Sequence, residues 1–231
     1  MGFRTVEKSG HVDQGEFVGP NGQQREKPLG RISKRVFDIV GASALLILVA
    51  PVIIIFGILV RLQDGKRAVF SQSRYGAGGK SFDCYKLRSM VPDAGKRLKD
   101  ILATNPAMRR EWEETQKLSD DPRITSLGRF LRKSSIDELP QLINVLRGDM
   151  SLVGPRPIVQ NEIERYGKYY HDYTSVQPGI TGLWQVKGRS DTTYTERVAL
   201  DVEYARTLSF WGDIKIMLMT IPAVLFSKGA H

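Results

Sequence analysis

The chain has 231 residues, a net charge of +9 and one cysteine, Cys84. This length allows one good-sized domain with appendages, and the charge favours anionic partners such as phosphorylated molecules, nucleic acid or a membrane surface. A single cysteine excludes an intramolecular disulfide, and three scattered histidines give no support for a histidine metal site or a Ser-His-Asp triad.

The first segments are a polar tail and a long apolar run. Residues 1–30 lack apolar periodicity and are predicted to be a mobile tail rather than a signal peptide. From Ile39 to Val60 no residue is charged. A helix of that length rises about 33 Å, enough to cross a hydrocarbon core of about 30 Å. The run therefore indicates a membrane helix within residues 31–65.

Two features favour a bent helix that leaves the membrane by the face it entered. Pro51 lies near the middle, and a proline removes one backbone hydrogen bond and kinks a helix, here at Ala50-Pro51. Basic residues flank the run on both sides, which would keep both ends in the cytoplasm. These residues are Arg31, Lys34, Arg35, Arg61, Lys66 and Arg67. From the residues alone, re-entry and ordinary spanning both stay open.

Residues 61–89 predict a β-hairpin. Strand-type residues at 68–70 and 82–85 flank a glycine-rich turn. Side chains alternate along a strand, so Lys86 and Arg88 are expected on one face. That face is either exposed to solvent, or its two cations bind an anionic ligand.

Asp137 and Glu138 are adjacent carboxylates at a predicted helix start, after three further helices. Those three run from Pro92 to about Ala103, from Asn105-Pro106 to about Leu118 and from Thr125 to about Arg132. A capping box would pair Ser135 with Glu138, whereas Pro140 fits better if Asp137 is the N-cap. Both registers place Asp137 at the positive end of a helix that runs to Arg147, where acidic residues are common for structural reasons alone.

Two later segments carry candidate binding residues. Arg156 lies between two prolines, which fix the backbone and hold a guanidinium suited to bidentate phosphate binding; a stiff connector with a solvated arginine is the alternative. A helix is predicted from about Ile158 to Tyr170. The loop that follows carries Trp184, which would either stack on a nucleobase or pack in the core.

The C-terminal third is predicted to be helical. One helix runs from Thr193 to about Thr207, and the uncharged run 216–226 is too short to span a bilayer. Trp211, Lys215 and Lys228 suit a helix that lies in the membrane interface. Packing against the core or against a second subunit is the alternative.

Four segments together carry a family resemblance: the proline-broken apolar run, KLRSM, DPRITSLGRFLRKSSIDELPQLINVLRGDMSLVGPRP and QPGITGLWQVKGR. Through them, residues 31–228 resemble the bacterial sugar transferase family, the monotopic phosphoglycosyl transferases that begin exopolysaccharide and glycoconjugate assembly. Within that family the chain is most similar to the short, exopolysaccharide-initiating galactose-phosphate transferases.

The resemblance implies a fold and a location. The fold would be α+β, mainly helical with a small β-hairpin, in a monotopic protein on the cytoplasmic face of the bacterial inner membrane. Its parts would be a mobile tail (1–30), a re-entrant membrane helix (31–65) and a catalytic domain with interfacial helices (66–231). Many family members have Ser or Lys where this chain has Ala50, next to the proline of the break.

The resemblance also implies a reaction. A hexose-1-phosphate, of galactose or glucose, would pass from a UDP-hexose to undecaprenyl phosphate with release of UMP and a requirement for Mg²⁺. Asp137 matches the nucleophile, which forms a covalent phospho-sugar, and Glu138 matches its partner; both are also metal-ligand candidates. Candidate substrate-binding residues are Arg132, Arg156, Lys86, Arg88 and Trp184.

Other partners follow from the same reasoning. Membrane lipids are expected partners, and a homodimer is one of the oligomeric states left open. Nucleic acid is not expected, because the basic residues do not alternate with aromatic residues as stacking platforms do. The competing class is a membrane-anchored basic scaffolding protein without catalysis, which would be indifferent to Mg²⁺ and to Asp137.

Overall fold

The computed structural model describes residues 28–115, 118–188 and 192–225. Nearly all of the predicted polar tail, together with Lys228, lies outside these ranges. Within them helices dominate, and the strands form one antiparallel pair and one parallel pair. The prediction of a mainly helical α+β fold with a small hairpin is confirmed.

Helix α1 spans Pro28–Leu62 and is 35 residues long, with Pro51 inside it. It is long and apolar enough to cross a membrane. The chain stays helical on both sides of Ala50-Pro51, so the predicted re-entrant bend stays a prediction. Many of its large apolar side chains are exposed, among them Ile32, Val40, Ile47, Leu48, Ile54, Ile55 and Leu62.

One side of α1 packs on the rest of the chain near both of its ends. Towards its N-terminus it joins a core around Val145 and Leu152. Towards its C-terminus it joins a second core around Leu87 and Leu131. The α1 residues involved are Phe37, Ala42, Leu46, Val49, Ile53, Phe56 and Val60. The apolar helix is therefore an integral part of the domain that carries Asp137 and Glu138, which are called the dyad below.

The predicted hairpin is confirmed. Strands β1 (Val69–Tyr75) and β2 (Ser81–Leu87) pair antiparallel, with Val69 opposite Leu87. A 3₁₀ turn joins them, and its Gly78 and Gly79 have φ of 64° and 70°. Residues with a side chain rarely adopt this conformation, which explains the glycine-rich turn.

Four helices follow the hairpin: α2 (Ala94–Thr104), α3 (Pro106–Thr115), α4 (Ser126–Lys133) and α5 (Gln141–Arg147). Thr125 caps α4 by accepting a 2.9 Å hydrogen bond from the Gly128 amide.

The predicted helix start at Ser135 or Asp137 is wrong. Residues Ile136–Glu138 form a 3₁₀ turn instead, and Pro140 is the N-cap of α5. Ser135 has a φ of 57° and makes no capping bond through its side chain, so the predicted capping box does not form. The left-handed conformation of Ser135 prevents α4 from continuing. Helix α5 begins only after Pro140, because a proline has no backbone donor and none is needed at a helix start.

The second sheet was not predicted. Strand β3 (Ser151–Val153) pairs in parallel with β4 (Gly179–Thr181). The two backbones come so close that a Cβ on Gly154 would lie 2.3 Å from the Gln177 carbonyl oxygen. Strands of three residues leave no periodic pattern, so the sequence gives little sign of this pairing.

The continuous helix predicted from Ile158 to Tyr170 is also wrong. The structure has two short helices, α6 (Ile163–Tyr166) and α7 (Tyr170–Thr174), with 3₁₀ turns around them. Gly167, which has a φ of 48°, interrupts the helical conformation between them.

The last helices are α8 (Leu183–Lys187), α9 (Tyr194–Thr207) and α10 (Phe210–Leu225). Helix α10 buries Ile216 while it exposes Trp211, Leu218 and Ile221. A one-sided apolar surface of this kind agrees with an interfacial helix, although its membrane contact stays a prediction.

Candidate active site

The two carboxylates lie on the short turn between α4 and α5. Asp137 is buried, with 7% of its surface exposed, and the side chain of Glu138 is 22% exposed. The turn is held by hydrogen bonds from the Ser135 amide to the Arg132 carbonyl and from the Glu138 amide to the Ser135 carbonyl, both 3.1 Å. Among the described residues, Ser135 is the one non-glycine residue with positive φ. Backbone strain of this kind is often found at functional sites.

Glu138 is held between two cations. Its Oε1 lies 2.6 Å from Lys86 Nζ and 3.6 Å from an Arg156 Nη. Burial on its own would raise the pKa of Glu138, but Arg156 and Lys86 outweigh it and lower this pKa to about 2. Glu138 is therefore a permanent anion at neutral pH.

Asp137 behaves in the opposite way. Burial, with a further contribution from the neighbouring Glu138 charge, raises the pKa of Asp137 to about 6, against the opposing pull of Lys86, Arg132 and Arg156. Asp137 is therefore mostly ionised at pH 7 but more basic than an ordinary aspartate. A basic carboxylate beside a permanently charged one is an arrangement suited to a nucleophile.

The two predicted arginines approach the dyad from different elements. Arg132 lies in the last turn of α4, and its Nε donates a 2.9 Å hydrogen bond to Ser89 Oγ. Arg156 follows β3 in the proline-flanked loop. Both act electrostatically on Asp137. The structure thus brings Lys86, Arg132 and Arg156 together around the carboxylates.

Sequence reasoning missed Arg74 and Gln141. Both line a narrow polar cleft beside Glu138, together with Lys86 and Arg156. Arg74 lies in β1 and donates a 3.1 Å hydrogen bond to the Pro157 carbonyl, which brings a further cation to the Arg156 loop. An isolated arginine in a hairpin has no local signature, so only the tertiary approach of β1 to this loop reveals it.

Arg88 and Trp184 are directed elsewhere. The guanidinium of Arg88 binds both oxygens of Asp64 at 2.5 and 2.6 Å, at the C-terminal end of α1. This hydrogen bonding lowers the pKa of Asp64 to about 2. Trp184 packs under the Arg197 guanidinium, 4.9 Å from its ring centroid. The structure brings neither residue to the dyad, and their substrate-binding roles stay predictions.

Helix α1 braces the elements that carry the site. Arg35 donates hydrogen bonds of 2.6 and 3.0 Å to the last carbonyls of α5, those of Val145 and Leu146. Lys34 donates to the carbonyl of Val153, the residue where β3 ends, at 3.2 Å. Both the helix after the dyad and the strand before Arg156 are therefore fixed to the apolar helix.

Asp38 of α1 also binds β3, and its substitution tests how much these contacts stabilise the fold. The buried carboxylate accepts hydrogen bonds from Ser151 Oγ at 2.9 Å and from the Leu152 amide at 3.0 Å. We expect Asp38→Ala to leave both donors unpaired and to lower the free energy of unfolding by about 1–3 kcal/mol. Asp38→Asn keeps an acceptor oxygen and should lose clearly less. Thermal unfolding of both variants in lipid nanodiscs checks this; equal losses would contradict it.

Metal binding was predicted at Asp137 and Glu138. Across the described ranges, no cluster of three or more His, Cys, Asp or Glu side chains could hold a metal ion. The two carboxylates nevertheless fit the usual mode for Mg²⁺, which takes one or two carboxylates and completes its shell with substrate phosphates and water. Magnesium binding at these two residues stays a prediction.

A carboxylate pair among cations is typical of proteins that handle phosphorylated ligands, and α1 is long and apolar enough to cross a membrane. The model of the bacterial sugar transferase family matches residues 29–227. The chain belongs to this family, so the predicted resemblance is confirmed.

Three relatives illustrate the family. The chain is 49% identical to the undecaprenyl-phosphate galactose phosphotransferase of Salmonella typhimurium, over 89% of this chain and 43% of the relative. It is 44% identical to the exopolysaccharide production protein ExoY of Sinorhizobium fredii, over 89% of this chain and 91% of the relative. It is 39% identical to a UDP-glucose:undecaprenyl-phosphate glucose-1-phosphate transferase of Caulobacter vibrioides, over 88% of this chain and 75% of the relative. The chain thus spans less than half of the Salmonella protein and most of the other two.

Proposed function

We propose that the protein transfers a hexose-1-phosphate from a UDP-hexose to undecaprenyl phosphate, with release of UMP, as the first membrane step of exopolysaccharide synthesis. The observation that carries this proposal is the Asp137–Glu138 pair, with its opposite pKa shifts, among Lys86, Arg132 and Arg156. The names of the family relatives support the same donor and acceptor classes.

The first step forms a covalent intermediate. An oxygen of Asp137 attacks the phosphorus next to the sugar, and the bond from that phosphorus to the oxygen of UMP breaks. UMP leaves with the electron pair, and the hexose phosphate stays on Asp137 as an acyl phosphate. Lys86, Arg132 and Arg156 stabilise the negative charge that builds up on the phosphoryl oxygens.

The second step regenerates the carboxylate. A phosphate oxygen of undecaprenyl phosphate attacks the same phosphorus, and the bond from phosphorus to the Asp137 oxygen breaks. The product is undecaprenyl diphosphate hexose, and neither step requires a proton to be added or removed. When bound, Mg²⁺ would neutralise phosphate charge, with Asp137 and Glu138 as its protein ligands.

The nucleophile sets a pH dependence for the first step. Only the ionised form of Asp137 attacks, and its pKa is raised to about 6. The rate of covalent labelling by a UDP-hexose should therefore fall about tenfold per pH unit below pH 6 and level off above it. An ordinary aspartate would hold its rate down to about pH 4. Single-turnover labelling between pH 4.5 and 8 measures this. A flat profile would contradict the raised pKa of Asp137 in the reacting complex; its role as nucleophile is tested by substitution.

We also infer a monotopic arrangement at the cytoplasmic face of the inner membrane. Both ends of α1 pack on one domain, which supports a helix that enters and leaves by the same face. In a Cys84→Ala background, single cysteines placed before Arg31 and at Lys66 should both resist a membrane-impermeant maleimide added from the periplasm. Both should react after permeabilisation. Labelling of one position alone from outside would indicate a spanning helix.

The activity itself is tested with purified protein in nanodiscs. A panel of UDP-sugars, supplied with undecaprenyl phosphate and Mg²⁺, should give UMP release with one or two of the sugars. A membrane-anchored scaffold would release no UMP with any of them.

A further inference from the structure

A broad groove of about 650 Å³ opens between the C-terminal end of α1 and the beginning of α4. Leu59 of α1 and Gln63, which directly follows α1, form one side, and Ser126, Leu127 and Arg129 of α4 form the other. The groove is separate from the polar cleft beside Glu138, since the two share no lining residue. Its walls mix aliphatic side chains with a few polar groups.

A chain of contacts links the groove wall to the nucleophile. Thr125, in the groove wall, donates its amide to the Ser89 carbonyl at 3.1 Å. Ser89 Oγ in turn accepts from Arg132 Nε at 2.9 Å, and Arg132 acts electrostatically on Asp137. The close fit here depends on Gly128, because a Cβ at that position would lie 1.9 Å from the Ser89 carbonyl oxygen. The groove wall is therefore linked through Ser89 to a guanidinium that acts on Asp137.

An apolar surface lies beside the groove. Ile55, Ile58 and Leu62 of α1 are 55%, 53% and 75% exposed, and Phe130 of α4 is 52% exposed. Phe130 stacks on Phe56 with ring centroids 5.6 Å apart, so α1 and α4 form one continuous apolar surface beside the groove. An apolar surface of this extent on two adjoining helices is typical of contact with a membrane.

We propose that this groove binds the isoprenoid chain of the acceptor lipid, with its phosphate directed past Arg132 towards Asp137. An open groove beside an apolar surface, linked by contacts to the cation Arg132, matches a molecule with an aliphatic chain and one anionic head. The nucleotide donor has no apolar chain, and the cations near Glu138, which are Arg74, Lys86 and Arg156, suit its phosphates. The proposal rests on the proposed function and adds to it a separate path for each substrate.

The two half-reactions separate these paths. Ser126→Trp places a large ring in the groove from an exposed position, and Asp100→Trp makes the same addition on α2, away from the groove. Both variants are studied as full chains in nanodiscs. Covalent labelling by a UDP-hexose without acceptor reports the first step, and transfer of the label to added polyprenyl phosphate reports the second.

We expect Ser126→Trp to label like the unaltered protein and to raise the KM for undecaprenyl phosphate at least about tenfold. The defect should shrink with a short-chain isoprenyl phosphate, because less chain then occupies the groove. Asp100→Trp should change neither step. An unchanged KM in Ser126→Trp, or an equal defect with long and short chains, would overturn the proposal. Should Ser126→Trp unfold, the milder Leu59→Ala is judged by the same criteria.

A binding measurement keeps the proposal testable even without turnover. A benzophenone amino acid in place of Ser126 should crosslink to undecaprenyl phosphate in the nanodisc, and the same probe in place of Asp100 should not. Crosslinks to bulk phospholipid alone, or to a second copy of the chain, would overturn the proposal. If crosslinking occurs but no label ever forms on the protein, the groove stands and the proposed covalent reaction fails.

Discussion

Asp137→Asn is expected to abolish hexose-phosphate transfer, with a loss of at least about 10⁴-fold in turnover. The amide keeps the size of the side chain but is a poor nucleophile, so no covalent phospho-sugar can form. Incubation with a radiolabelled UDP-hexose, followed by denaturing electrophoresis, should show label on the unaltered protein and none on the variant. Turnover is measured as UMP release in the same samples.

The fold should survive this change. The pKa of Asp137 is raised in the folded protein, so the ionised carboxylate makes the folded state less stable as the pH rises above its ordinary value of 3.8. Removing the charge should leave the melting temperature at pH 7 equal or higher. Asp100→Asn, on the exposed face of α2, is the matched control and should alter neither turnover nor labelling. Label that persists in Asp137→Asn would contradict the assignment of Asp137 as the nucleophile.

Glu138→Gln is expected to reduce turnover by about 10²–10³-fold without abolishing the covalent label. The change removes the carboxylate shared by Lys86 and Arg156 and one candidate ligand for Mg²⁺. It also removes the like charge beside Asp137, so the pKa of Asp137 should fall and the carboxylate should become less basic. Labelling should thus become slower at pH 7, and its midpoint should move below pH 6.

The shift of the pH profile separates this explanation from a general loss of structure. A misfolded fraction would lower the labelling amplitude at every pH and leave the midpoint where it is. Glu203→Gln, which removes an exposed partner of Lys187, is the matched control and should change neither rate nor midpoint. A midpoint that stays at pH 6 in Glu138→Gln would mean that the two carboxylates do not interact.

Local sequence signals were enough for several parts of the site. The glycine-rich turn indicated the hairpin, and Arg156, which the two flanking prolines drew attention to, lies 3.6 Å from Glu138. The same local reasoning failed for Arg88, which alternation places beside Lys86. Strand β2 ends at Leu87, and the side chain of Arg88 binds Asp64 instead. Side chains alternate between the two faces only within a strand, and Arg88 lies beyond the end of β2.

The remaining parts depend on contacts between distant segments. Arg74 reaches the site only because β1 lies against the loop at Pro157, 83 residues later in the chain. The pairing of β3 with β4 requires Gly154 and Gly179 to approach each other, and no periodic pattern marks it. The left-handed turn at Ser135 replaces a helix start that both the capping pattern and the acidic residues favoured. In each case tertiary packing outweighs local preference.

The packing of α1 has a practical consequence for protein engineering. Its side chains complete two hydrophobic cores, and its Lys34, Arg35 and Asp38 hold the elements that carry the dyad and Arg156. Deleting the first 60 or so residues would thus remove part of both cores rather than a detachable anchor. A water-soluble version for inhibitor screening would have to retain this helix and replace only its outward-facing aliphatic residues with polar ones.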